Sequence, residues 1–102
     1  MKLKAILIKV RGEEEKLLPK EETFTKEELC VLLNATNIQF IATKLPNCIM
    51  IINQNAKEQE MWHLQVNNKA SELAKGTIGD ATIVGDAIIC NKMFIKDENL
   101  TF

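Results

Sequence analysis

The sequence predicts an α+β domain: a mainly antiparallel sheet of about five strands with two short helices. Three features predict it. The chain opens on an apolar run with hydrophobic residues at both parities, residues 24–29 carry a complete helix-start signal, and two strand-like runs flank Pro46-Asn47. A chain of 102 residues holds one domain and is too short for two, so residues 1–102 are read as one unit with an ordered core over about 3–95.

The elements follow in order. Leu3 to Val10 is rich in strand formers and apolar on both faces, as an interior strand covered on both sides would be. Arg11-Gly12 supplies a turn. Residues 13–18 return as an edge strand, kept from further pairing by the charges of Glu13, Glu14 and Glu15 and stopped by Pro19. Thr25 is an N-cap with Glu28 at the third helical position, closing a capping box, while Phe24 and Leu29 are spaced for a hydrophobic staple. Leu29, Leu32 and Leu33 form the stripe that packs on the sheet, and Asn34 ends the helix. Residues 38–44 and 48–53 make a hairpin in which proline sets the first corner and asparagine suits the second.

After a turn at Asn53–Ala56, residues 57–61 are expected to form a short polar strand. A second helix should run from Asn67 or Asn68, either of which can cap it, through Lys75 to a left-handed Gly76. Next comes a near-duplicated hexad, Ile78-Gly79-Asp80-Ala81-Thr82-Ile83 and Val84-Gly85-Asp86-Ala87-Ile88-Ile89. Six is even, so an extended strand over 78–89 would carry Gly79, Ala81, Gly85 and Ala87 on one face and Asp80 and Asp86 on the other. On that reading Gly79 and Gly85 mark close backbone approach. Two copies cannot stack into a hexad-repeat solenoid. Phe94-Ile95 adds a last short piece.

Composition removes several functions. A formal net charge of −1 sets up no long-range field, and Arg11 is the sole arginine, so bidentate reading of phosphate or guanine has little to work with. Nucleic acid is therefore a disfavoured partner. Cys30, Cys48 and Cys90 are odd in number, far apart and flanked by apolar residues, which suits reduced core thiols. The opening apolar run is too short for a signal peptide or a membrane span. A cytoplasmic protein with no membrane association is expected.

The catalytic inventory is thin: one histidine, His63, one serine, Ser71, and no tyrosine. Nothing in the sequence places His63 or Ser71 beside a third, orienting group. An enzyme would need His63 and Asp80 or Asp86 in one cleft. Paired thiolate and imidazole clusters for zinc are missing, and Asp80 and Asp86 would lie about 20 Å apart along a strand, too far to share a cation. No glycine-lysine phosphate loop occurs. The expectation is no metal, no cofactor and no catalysis.

One region reads as a binding surface. Between Asn53 and Lys69 the only tryptophan and the only histidine lie among amide side chains, the chemistry that stacks on a ring and pairs with polar edges. Asparagines also serve turns and caps, and a tryptophan in a small domain is commonly core. The candidate ligand or partner residues are Asn53, Trp62, His63, Asn67, Asn68 and Lys69, joined by Asp86 from the late strand.

Several segments together resemble a known family. These are "IMIINQNAK", where relatives tend to read valine-valine-asparagine-glutamate-glycine, then "NNKASELA", then "TIVGDAIIC". The matching positions are Asn53, Asn67, Ala70 and Val84-Gly85-Asp86. A Gly-Gly-aromatic run of the relatives is replaced here by "NATNIQF". The family comprises small domains of unknown function, encoded largely by bacteriophages, plasmids and conjugative elements. The resemblance implies a mobile-element origin and action inside a host bacterial cell. The function expected from it is non-catalytic: a binding protein that antagonises host defence by sequestering a target such as a nucleotide immune signal. The alternative is a protein–protein interaction module acting on a host defence protein with no small ligand. Self-association into a homo-oligomer is compatible with either.

Overall fold

A computed structural model of the chain describes residues 5–74 and 82–95. Among the described residues there are five strands, all antiparallel to their neighbours: β1 (Ala5–Ile8), β2 (Glu14–Leu17), β3 (Ile38–Ala42), β4 (Cys48–Asn53) and β5 (Ala87–Asn91). Helix α1 (Lys26–Leu33) joins β2 to β3, and α2 (Asn68–Ala74) lies between β4 and β5. The sheet order is β2-β1-β5-β4-β3, so α1 carries the chain from one edge of the sheet to the other. This is a small α+β fold.

Strand parity explains the layering. On one face Ala5 and Leu7 of β1, Ile49 and Ile51 of β4, and Ile88 and Cys90 of β5 pack with Phe24, Leu29 and Leu33 around α1. The alternate residues Ile8, Met50, Ile52, Ala87 and Ile89 pack on the other face with Ala70 and Ala74 of α2. Ala70 and Ala74 are one helical turn apart, and their small side chains let α2 lie close to the sheet. Covering both faces accounts for the unbroken apolar runs in β1 and β5.

The local signals act as read. Thr25 Oγ1 accepts from the Glu28 amide at 3.2 Å and Glu28 Oε1 accepts from the Thr25 amide at 3.3 Å, so the capping box is complete. Phe24 and Leu29 are fully buried in one cluster. Asn34 closes α1 in the left-handed region at φ 51°. Between β3 and β4 the Cys48 amide bonds the Leu45 carbonyl oxygen at 3.3 Å, with Asn47 at φ 60° in the second corner, as Pro46-Asn47 predicts. β2 pairs only with β1 and forms the charged edge.

Three expectations are corrected. No strand forms at 57–61: Ala56–Glu58 and Trp62–Gln65 are short 3-10 turns. The hexad strand is much shorter than its period suggests. β5 begins only at Ala87, because Gly85 at φ 84° turns the backbone out of the ladder and Val84 pairs instead with Val66 in an isolated antiparallel bridge. Gly85 is thus required for its conformation and not for close approach, since a Cβ there would meet only Ala56 Cβ at 4.0 Å. Residues 92–94 form a 3-10 turn, and Ile95 alone bridges to Phe24. Lys75, Gly76 and the first four residues of the hexad repeat lie outside the described residues.

Candidate functional site

The segment between β4 and α2 builds the site. From Gln65 to Asn67 it runs antiparallel to Ile83–Gly85: the Asn67 amide donates to the Ile83 carbonyl and the Gly85 amide to the Gln65 carbonyl, each at 2.7 Å. The β1–β5 register, which pairs Ile8 with Ala87, ends where Gly85 turns away. Side chains then take over from the ladder. Asn67 Nδ2 donates to the carbonyl oxygens of Ile8 at 2.9 Å and Gly85 at 3.0 Å, and Asp86 Oδ1 accepts from the Val10 amide at 3.1 Å. Ser71 Oγ donates to the Asn67 carbonyl and accepts from the Ile83 amide, both at 2.8 Å. These bonds hold 83–86 against the end of β1 and the start of α2.

Above this knot lies a cleft of about 550 Å³. Its walls come from four places in the sequence: Val10 after β1, Leu33 and Asn34 at the end of α1, Asn53 at the end of β4, and Val84, Gly85 and Asp86 before β5. The two 3-10 turns and the residues joining them supply the rest, with Gln59, Glu60 and Gln65 as polar groups and Ala56, Met61, Trp62 and Leu64 as the apolar ones. Met61, Trp62 and Leu64 are 60%, 36% and 60% exposed. Met61 also sits at φ 59°, a left-handed conformation that a long side chain adopts at a cost of about 1–2 kcal/mol. The lining contains two carboxylates, Glu60 and Asp86, and no lysine, arginine or histidine.

The predicted site residues divide. Asn53, Trp62 and Asp86 come together in the cleft. His63 is exposed on the same turn but outside the lining, its ring edge-on to Trp62 at 6.2 Å between centroids. Asn67 is fully buried with every bond made; besides its two donated bonds, its Oδ1 accepts from the Ala70 amide at 3.1 Å as the N-cap of α2. It is a structural residue with no polar atom left for a ligand. Asn68 is exposed in the first turn of α2, and Lys69 reaches away to the β1–β2 hairpin, where it pairs with Glu14 and donates to the Gly12 carbonyl at 3.4 Å. Sequence reasoning missed Glu60, Met61 and Leu64. For Met61 and Leu64 the signal was the cluster of large apolar residues around Trp62 in an otherwise polar stretch; Glu60 carried none of its own.

Chemically the arrangement offers contact surface and hydrogen bonds. Ser71 has its hydroxyl engaged on both sides, and His63 is not in one cleft with Asp86. Among the described residues no group of three or more His, Cys, Asp or Glu is placed to hold a metal ion, and no helix is long and apolar enough to cross a membrane. Cys48 and Cys90 lie on adjacent strands but on opposite faces of the sheet, the geometry of two separate thiols. Burial, with Cys48 nearby as the lesser cause, pushes the Cys90 thiol up to about 12. Comparison of the chain with protein-family models, curated proteins and solved structures finds no match.

Proposed function

We propose that this protein is a non-catalytic binding module that engages another protein through the cleft edged by Met61, Trp62 and Leu64. The observation that carries the reading is that these three exposed side chains line one concavity, whereas the other exposed large apolar residues, Leu18, Val31, Leu45 and Met93, lie outside it. Apolar area left in water is area a partner gains by covering, at about 25 cal/mol per Å². Trp and Met are among the side chains enriched where proteins meet, and a polar surround of amides fits the rim of such a contact. The strained backbone at Met61 adds support, since conformations of this kind persist where function holds a side chain in place.

A nucleotide-sequestering form of the same reading is favoured by one observation: Asn34, Asn53, Gln59 and Gln65 surround an indole in a space large enough for a base. Against it stands the lining charge, because among the described residues the charged groups lining the cleft are the carboxylates Glu60 and Asp86, with Lys57 beside Trp62 offsetting them only in part. Placing the target in host defence rests on the resemblance to domains of mobile elements alone.

The test is a displayed random-peptide library selected on the wild-type chain and on a Met61→Ser/Leu64→Ser variant, beside a thermal-shift screen against cyclic and linear nucleotides. Peptides that enrich on the wild type and fail on the variant support the protein-partner reading. A nucleotide that raises the wild-type Tm, with no peptide enrichment, overturns it in favour of sequestration. Native mass spectrometry of the same sample reads self-association.

A further inference from the structure

We infer that the segment recognised by this cleft is basic, presenting an arginine side chain between apolar neighbours to Trp62, Glu60 and Asp86; the inference rests on the protein-partner reading above. Three observations converge on it. The charged groups lining the cleft are both carboxylates, and with Lys57 beside Trp62 counted the local balance among the described residues is still negative and favours a cation. Asp86 is held in place by the bond from the Val10 amide to its Oδ1, which fixes the carboxylate before any partner arrives, and preorganisation of this kind lowers the ordering cost of binding. The indole of Trp62 already attracts a cation from its own chain, Lys57 Nζ lying 5.9 Å from the ring centroid. A planar guanidinium can stack on that ring and donate in a fork to a carboxylate, which an ammonium cannot do. The apolar neighbours would cover Met61 and Leu64. The groove beside α1, between Leu18 and Val31, is acidic as well, bordered by Glu21, Glu27 and Glu28 against Lys20, but no aromatic ring lines it.

Trp62 is the only tryptophan, so its fluorescence reports occupancy of this cleft without a label. The probes are three short acetylated, amidated peptides, Ala-Leu-X-Leu-Ala, with X arginine, its uncharged near-isostere citrulline, or glutamate. The arginine peptide is expected to shift the Trp62 emission and to bind about tenfold more tightly than the citrulline peptide, the scale of a charge-assisted hydrogen bond. The glutamate peptide should bind weakest, and added salt should weaken the arginine peptide alone. In a Glu60→Gln/Asp86→Asn variant, which keeps an acceptor for the Val10 amide, the preference for arginine over citrulline should vanish while citrulline binding stays. Equal binding of all three peptides to the wild type overturns the inference and leaves an apolar protein contact standing. No response to any peptide up to about 1 mM also overturns it, and the nucleotide screen then decides whether the protein-partner reading falls with it.

Discussion

Asn67 donates through its side-chain amide to the carbonyl oxygen of Ile8 at 2.9 Å, tying the start of α2 to the end of β1. The same Nδ2 bonds the Gly85 carbonyl while Oδ1 caps the helix at Ala70, so one buried amide satisfies three backbone groups from three segments. Removing it deletes a helix cap and leaves buried carbonyls without their donor. Asn67→Ala is therefore expected to cost about 3 kcal/mol or more, read as a fall in Tm of well over about 10 °C. Asn67→Asp keeps the cap acceptor but turns a carboxylate toward two carbonyl oxygens, and should be no better. A variant with native Tm would mean that the side chain is spare and open to a ligand.

Met61 separates stability from binding. Its left-handed backbone is strained for methionine and free for glycine, and its exposed side chain buries little on folding. In Met61→Gly the relief of strain and the greater freedom of the unfolded chain roughly cancel, so urea denaturation should place the variant within about 0.5 kcal/mol of wild type. Peptide binding at Trp62 should fall all the same. Destabilisation above about 1 kcal/mol with intact binding would make Met61 a packing residue.

At Gly85 the expected penalty is conformational. The nearest atom to an added Cβ is Ala56 Cβ at 4.0 Å, an ordinary contact, whereas φ 84° is unfavourable to any side chain with a Cβ. Gly85→Ala should cost about 1–2 kcal/mol, and Gly85→Asn less, because asparagine tolerates the left-handed region. Chemical denaturation of the two variants tests the order. Equal losses would point to a steric cause instead.

The buried thiol of Cys90 makes stability fall in alkali. Its folded value is raised from 9.0 to about 12, so below pH 9 both states hold the proton and the group is neutral to stability. Between those values the unfolded chain ionises first and the folded chain does not, and stability declines with a limiting slope of about 1.4 kcal/mol per pH unit. Subtracting the profile of Cys90→Ala from that of the wild type isolates this slope from lysine titration. In the native state Cys90 should also resist alkylation at pH 8 while the half-buried Cys30 and Cys48 react.

What the sequence by itself determined was local. The capping box at Thr25 and Glu28, the asparagine turn at Asn47, the charged edge at β2 and the two-sided β1 all depend on residues within a few positions of one another. Their physics, a cap, a φ preference or a strand parity, is complete in a short window of sequence. The Asn67 cap was legible on the same ground, but its bond to Ile8 was not, because that partner is 59 residues away. The repeated hexad misled for a related reason. A period of six satisfies strand alternation, yet the Val66–Val84 bridge and the side chains of Asn67 and Asp86 offered the backbone a different set of hydrogen bonds, and Gly85 could take the turn. Only the tertiary structure decided the cleft. It gathers Val10, Asn34, Asn53, Trp62 and Asp86 from separate elements, and no local rule says which side chains meet when a sheet is covered on both faces.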